Sequence, residues 1–240
     1  MAESSTIIRE STFLEGLQAG ISIAIGYMPV ALTFGLLAKA SGLSAGETMM
    51  MSLLVFAGAS QYIAINMIAV GTGAAEIIFT TFIVNIRHFL MSASLNEKAD
   101  EDPAWKKVIY SFGITDETFS VASLKHSTVS SGYLFGLMGI SYSSWVINSG
   151  LGHFAGSLLP QNLQDSMSIA LYAMFIGLLV PSIKGQKKVA ILAGTAALSS
   201  TVLTYSKLLT GGWAIILSTL VSAVLIELLM PEKKRGIQDE

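Results

Sequence analysis

Residues 73–95, GAAEIIFTTFIVNIRHFLMSASL, are apolar for long enough to cross a bilayer, which takes about 20 such residues, yet they carry Asn85, Arg87 and His88 well inside one end. At a rise of about 1.5 Å per residue Arg87 lies about 12 Å from Leu95. An arginine at the centre of a membrane helix costs about 2.5–3.5 kcal/mol, so the fold must supply groups that offset it. Thr81, Asn85, His88 and Ser92 follow at i, i+4, i+7 and i+11 and make one polar stripe on a helix. Lipid offers that stripe no hydrogen bonds, so it has to face other helices or a wet cavity. Arg87 stands beside it and either joins the cluster or snorkels to the interface. A role in a solute pathway and a role as a structural anchor both fit.

The rest of the composition agrees with a membrane class. Of the 240 residues 52% are hydrophobic and only 12% charged, with a mean hydropathy of +0.63, which predicts one helical transmembrane domain over residues 1–240. The absence of cysteine excludes disulfides, thiolate catalysis and cysteine-zinc sites. No basic cluster interleaved with aromatics points to nucleic acid, and no P-loop or dinucleotide fingerprint points to a cofactor. The N-terminal tail, residues 1–12, lacks the basic and then apolar order of a cleaved signal, so Met1 is expected to be retained.

Along the chain the first span, residues 13–38, meets Gly26-Tyr27-Met28-Pro29, and proline removes a backbone donor. The sequence therefore predicts a span kinked or broken mid-membrane, as discontinuous helices are at transporter sites; a proline kink without function fits equally. The second span, residues 48–70, contains Phe56-Ala57-Gly58-Ala59-Ser60-Gln61, small residues that admit close crossing beside a glutamine that needs partners. A central loop, residues 96–131, follows the third span. Within it residues 108–124 are marginal for a crossing and hold Thr115-Asp116-Glu117, so they read as a re-entrant or interfacial element. The two carboxylates either pair with Arg87 and carry a proton, or simply open a short helix capped by Thr115 or Asp116.

Four more spans are expected at residues 132–159, 167–183, 189–205 and 213–230, followed by a tail, residues 231–240. Seven spans place eleven lysines and arginines on one side and only Arg9 and Lys207 on the other. The positive-inside rule then puts the N-terminus outside and the C-terminus in the cytoplasm. Three spans before the loop and three directly after it suggest an inverted 3+3 repeat with broken helices, faintly supported by Gly16-x-x-x-Gly20 against Gly132-x-x-x-Gly136. In that scheme Asn148-Ser149-Gly150 interrupts the fourth span.

Three stretches together, Phe56-Ala57-Gly58-Ala59-Ser60-Gln61, Asn85-Ile86-Arg87-His88 and Thr115-Asp116-Glu117-Thr118-Phe119, resemble the large subunits of AzlC-type branched-chain amino-acid exporters, in order, spacing and chain length. The resemblance runs from about Phe13 to Met230. It implies a multi-pass protein of the bacterial inner membrane, a secondary transporter exporting valine, leucine and isoleucine, with methionine as a further candidate. It also implies a separate small membrane subunit of the AzlD type.

A zwitterionic substrate needs acceptors for its ammonium, donors for its carboxylate and an apolar pocket. Gln61, Ser60, Asn85 and the backbone near Gly26 are the candidate polar contacts, and Phe56 and Trp145 the candidate walls. Arg87, His88, Asp116 and Glu117 are candidates for gating or proton coupling. Two other classes compete. One is a passive channel or a transporter for another solute. The other, remote, is an intramembrane serine hydrolase using Ser60 with His88 or His153, although Ser60 lacks the second glycine of a GxSxG elbow.

Overall fold

The computed structural model describes residues 12–125, 128–155, 158–163, 186–207 and 209–231, with scattered positions between 164 and 185. The helices among them are α1 (Phe13–Ala40), α2 (Ala45–Leu54), α3 (Gly58–Ala69), α4 (Ala74–Asn96), α5 (Ala104–Phe112), α6 (Asp116–Ser123), α7 (Ser131–Ala155), α8 (Lys187–Tyr205) and α9 (Gly211–Leu229). Four of these, α1, α4, α8 and α9, are long and apolar enough to cross a membrane. The expected fifth span, residues 167–183, lies largely outside the described residues. Contacts divide the chain into two compact units, Met1–Ala69 with Val84–Ala170, and Val70–Ile83 with Leu171–Glu240.

The first unit is built on α1 and α7. Thr12 and Glu15 form a capping box that starts α1. The helix then runs without interruption through Pro29, where the Thr33 hydroxyl donates to the Pro29 carbonyl at 2.9 Å. The break expected at residues 26–29 is therefore absent, because neighbouring helices hold the proline-bearing segment in line. Nor is α7 interrupted at Asn148-Ser149-Gly150.

The glycine spacing acquires a purpose here. A Cβ on Gly16 would overlap the Tyr133 carbonyl, one on Gly136 the Phe13 carbonyl, one on Gly35 the Ser149 carbonyl and one on Gly152 the Leu32 carbonyl. The two backbones are in direct contact along their length, the arrangement small residues permit in membranes. The paired numbers rise together, so α1 and α7 are parallel. This corrects the expected arrangement, in which the first and fourth spans run in opposite directions.

The reason lies in what comes between them. The expected second span is two helices, α2 and α3, separated by an extended Val55. Gln61 Nε2 is 3.3 Å from Ser52 Oγ, although nine residues of straight helix would hold their backbones about 13 Å apart. The chain has turned back. α2 descends against α7, with Thr48 on His153 and the Tyr142 hydroxyl on the Leu53 carbonyl. α3 then climbs along α1, with Phe56 on Tyr27 and the Tyr62 hydroxyl on the Val30 carbonyl.

Residues 108–124 likewise form part of a folded-back pair, entering from the other end of α1 and α7. α5 climbs α7, from Lys106 near Ser131 to Gly113 against Met138. α6 returns, from Thr115 at Tyr27 to Ser123, whose carbonyl accepts from Lys98. Thr115 caps α6, its hydroxyl accepting from Thr118 N at 3.2 Å. Backbone bonds between Lys98 and Val129 and between Asp100 and Val129 tie the two ends of the 96–131 segment together.

The described part of the second unit is built on α8 and α9 with the start of α4. α8 and α9 are antiparallel, joined by Lys188 with Glu227 at 2.6 Å and by Ser199 with Ser222 at 3.2 Å. Glu76, in the first turn of α4, accepts from the Thr210 hydroxyl and from Trp213 N at the start of α9.

Candidate functional site

Both folded-back pairs bring their breaks to Tyr27, midway along α1. Its side chain is 3% exposed. The hydroxyl is 2.7 Å from Thr115 Oγ1 and donates to Glu117 Oε2 at 2.6 Å. Its ring meets Phe56 edge-on at 6.0 Å and Trp145 at 5.3 Å. One tyrosine thus touches α1, the α2–α3 break, the α5–α6 break and α7.

Trp145 secures the first break. Its indole lies over Gly58, the first residue of α3, where a Cβ would stand 2.7 Å from the ring. Its Nε1 donates to Gln61 Oε1 at 2.7 Å, and Gln61 passes the chain on to Ser52. The glutamine is fully buried, and both ends of its amide are used. Arg87 secures the second break through Asp116, with Nη1 2.8 Å from Oδ2. Ser60 on α3 donates to Asn85 Oδ1 on α4 at 2.6 Å.

The junction therefore gathers Phe56, Ser60, Gln61, Asn85, Arg87, Asp116, Glu117 and Trp145. One expected member falls elsewhere. Gly26 is exposed on the open side of α1, with nothing within 4 Å of an added Cβ, since no break occurs there to turn its backbone inward. His88, whose Nδ1 sits 3.2 Å from the Asn85 carbonyl of its own helix, stays within electrostatic reach of Arg87, Asp116 and Glu117. The hydrolase arrangement is not formed either, because Ser60 is committed to Asn85 and His153 Nδ1 lies 2.9 Å from the Thr48 hydroxyl. Tyr27, Thr115 and Ser52 escaped the sequence reading as site residues. The apolar body of a tyrosine hides its hydroxyl in a hydropathy pattern, and the only signal was its place beside Pro29.

The family described as AzlC protein matches residues 22–159. The chain belongs to the AzlC family. The match takes in every residue of the Tyr27 junction and both helix breaks. Among its relatives are an uncharacterized membrane protein of Archaeoglobus fulgidus, 35% identical over 81% of this chain and 87% of the relative, and the inner membrane protein YgaZ of Escherichia coli, 30% identical over 82% and 83%. The branched-chain amino acid transport protein AzlC of Bacillus subtilis is 25% identical over 70% of this chain and 66% of its own length. No solved structure matches the chain.

Proposed function

We propose that this AzlC-family chain is the large subunit of a two-component secondary transporter that exports valine, leucine and isoleucine, with methionine as a further candidate, across the bacterial inner membrane. The observation that carries the reading is the meeting of two folded-back helix pairs, from opposite ends of α1 and α7, at one buried tyrosine. Taken as re-entrant elements, they present helix ends and irregular backbone at mid-depth from both sides, as alternating-access transporters do around a fixed site. The name of the Bacillus subtilis relative supports the substrate class. Phe56 and Trp145 wall the apolar part of the site, while Gln61, Ser60 and Asn85 shape its polar side. Arg87, His88, Asp116 and Glu117 are the ionisable groups through which passage of the substrate is gated and coupled. A small AzlD-type membrane subunit is the expected partner.

The test is efflux from dipeptide-loaded cells lacking the protein, with the chain restored alone and then with its small partner. Faster release of branched-chain amino acids, lost when the proton gradient is collapsed, is the expected result. Release that persists without the gradient favours a channel, and no change with both proteins in the membrane rejects the substrate class.

The parallel α1 and α7 support the orientation opposite to the one expected from seven spans. Lys98, Lys106, Lys107 and Lys125 lie toward the end of the first unit where α1 and α7 begin, against Lys39 where α1 finishes. The positive-inside rule then places the start of α1 in the cytoplasm. Because the chain has no cysteine, single-cysteine variants give a clean assay. Ala40→Cys is expected to react with an impermeant maleimide in intact cells and Glu101→Cys only after lysis; the opposite pattern restores an external N-terminus.

A further inference from the structure

We infer that Glu117 and Arg87 recognise the two charged ends of a free amino acid, Glu117 Oε1 taking the ammonium group and Arg87 Nε donating to the carboxylate. This deepens the transport reading above and rests on it. The basis is which hydrogen-bonding atoms at the Tyr27 junction are used and which are open. The residues that the sequence marks for substrate contact are largely committed to one another. Gln61 is held by Trp145 and Ser52, and Ser60 donates to Asn85.

Two buried atoms at the same junction have no partner among the described residues, Glu117 Oε1 and Arg87 Nε. One is an anionic acceptor and the other a cationic donor. Each belongs to a side chain already anchored by its other end: Glu117 Oε2 accepts from the Tyr27 hydroxyl at 2.6 Å, and Arg87 Nη1 lies 2.8 Å from Asp116 Oδ2. Asp116 and Glu117 are consecutive in the first turn of α6, so the open acceptor and the open donor are positioned by adjacent residues.

Leaving a buried polar atom without its hydrogen bond is costly. A divalent cation would satisfy Glu117 and leave Arg87 open, and a simple carboxylate or phosphate would do the reverse. A small molecule with an ammonium and a carboxylate on one carbon carries a partner for each. Tyr27 keeps Glu117 in place while its ring, Phe56 and Trp145 offer an aromatic surface for an aliphatic side chain.

The experiment measures ligand-induced thermal stabilisation of the purified full-length protein, together with its small partner where that is needed for recovery. Three probes are titrated: L-leucine, leucinamide, which lacks the carboxylate, and 2-hydroxy-4-methylpentanoate, which lacks the ammonium. Leucine is expected to bind at least about tenfold more tightly than either analogue, since a site built to bond a group rejects ligands without it. Glu117→Gln should lower leucine to the level of the hydroxy acid. Arg87→Lys, which keeps the charge but loses Nε, should lower leucine to the level of leucinamide and leave leucinamide itself unchanged. Glu117→Asp should retain the preference for leucine over the hydroxy acid, which keeps the test open if the glutamine variant does not fold. A hydroxy acid that binds the unmodified protein as tightly as leucine overturns the inference, as does an unchanged leucine affinity in Glu117→Gln. Efflux of leucine without this discrimination overturns the site alone; neither efflux nor binding overturns the transport reading with it.

Discussion

Gly152→Val is expected to prevent α7 from seating on α1 and to leave little folded protein in the membrane. The added Cβ would overlap the Leu32 carbonyl and crowd the rest of that residue's backbone. No rotamer change relieves a clash with main chain, so the helices must separate. Separation at Gly152 also strains the contacts at Gly35, Gly16 and Gly136 on the same line, where added Cβ atoms meet backbone as well. Overpacking of a close interface costs about 1–3 kcal/mol and more where the backbone cannot move, and this site belongs at the upper end. Gly139→Val on the same helix is the control: nothing lies within 4 Å of its Cβ, and valine is the better helix former. Membrane levels and the thermal midpoint in detergent should fall sharply for Gly152→Val and stay near the parent value for Gly139→Val. Equal behaviour of the two would show that α1 and α7 do not meet through glycine.

Trp145→Phe has the second largest expected effect. It removes the N–H that satisfies Gln61 Oε1 and leaves that buried oxygen without its donor, a loss of about 1–3 kcal/mol. It also takes away the ring atoms that cover Gly58 and touch Tyr27 and Phe34, and a buried large-to-small change of this size adds a cavity term. The expected destabilisation is about 2–4 kcal/mol in a detergent unfolding assay. Adding Gln61→Leu should recover part of it, because removing both partners of a buried hydrogen bond is far cheaper than removing one. A double-mutant cycle with no coupling between the two positions would mean that Trp145 does not hold the α2–α3 break through Gln61.

Both predictions turn on residues whose sequence signal was weak. Gly16-x-x-x-Gly20 is an ordinary spacing in a membrane helix, and only the facing Gly136 and the second contact at Gly35 and Gly152 show a continuous line of approach. Gln61 was visible as an amide in an apolar run that needed partners, but Ser52 and Trp145 are nine and eighty-four residues away. Asp116 and Arg87 were legible as a pair because opposite charges in hydrocarbon have few other ways to be stable. Tyr27 was not, since its importance comes entirely from the three segments that converge on it.

Composition and local pattern by themselves determined that this chain is helical and enters a membrane, that α1, α4, α8 and α9 are apolar over a bilayer's length, and that Gln61 and Asn85 must meet protein rather than lipid while Arg87, Asp116 and Glu117 need charged partners or water. These follow from transfer energies, which depend on each residue and its near neighbours. Only the tertiary structure decided that residues 48–70 turn back at Val55, that Pro29 does not break α1, and that α7 therefore runs parallel to α1. A folded-back pair of helices and a straight span bury the same apolar side chains, so hydropathy cannot tell them apart. What separates them is the long-range set of bonds from Trp145, Tyr142, Ser52 and Tyr27, and the direction of every later helix follows from that choice.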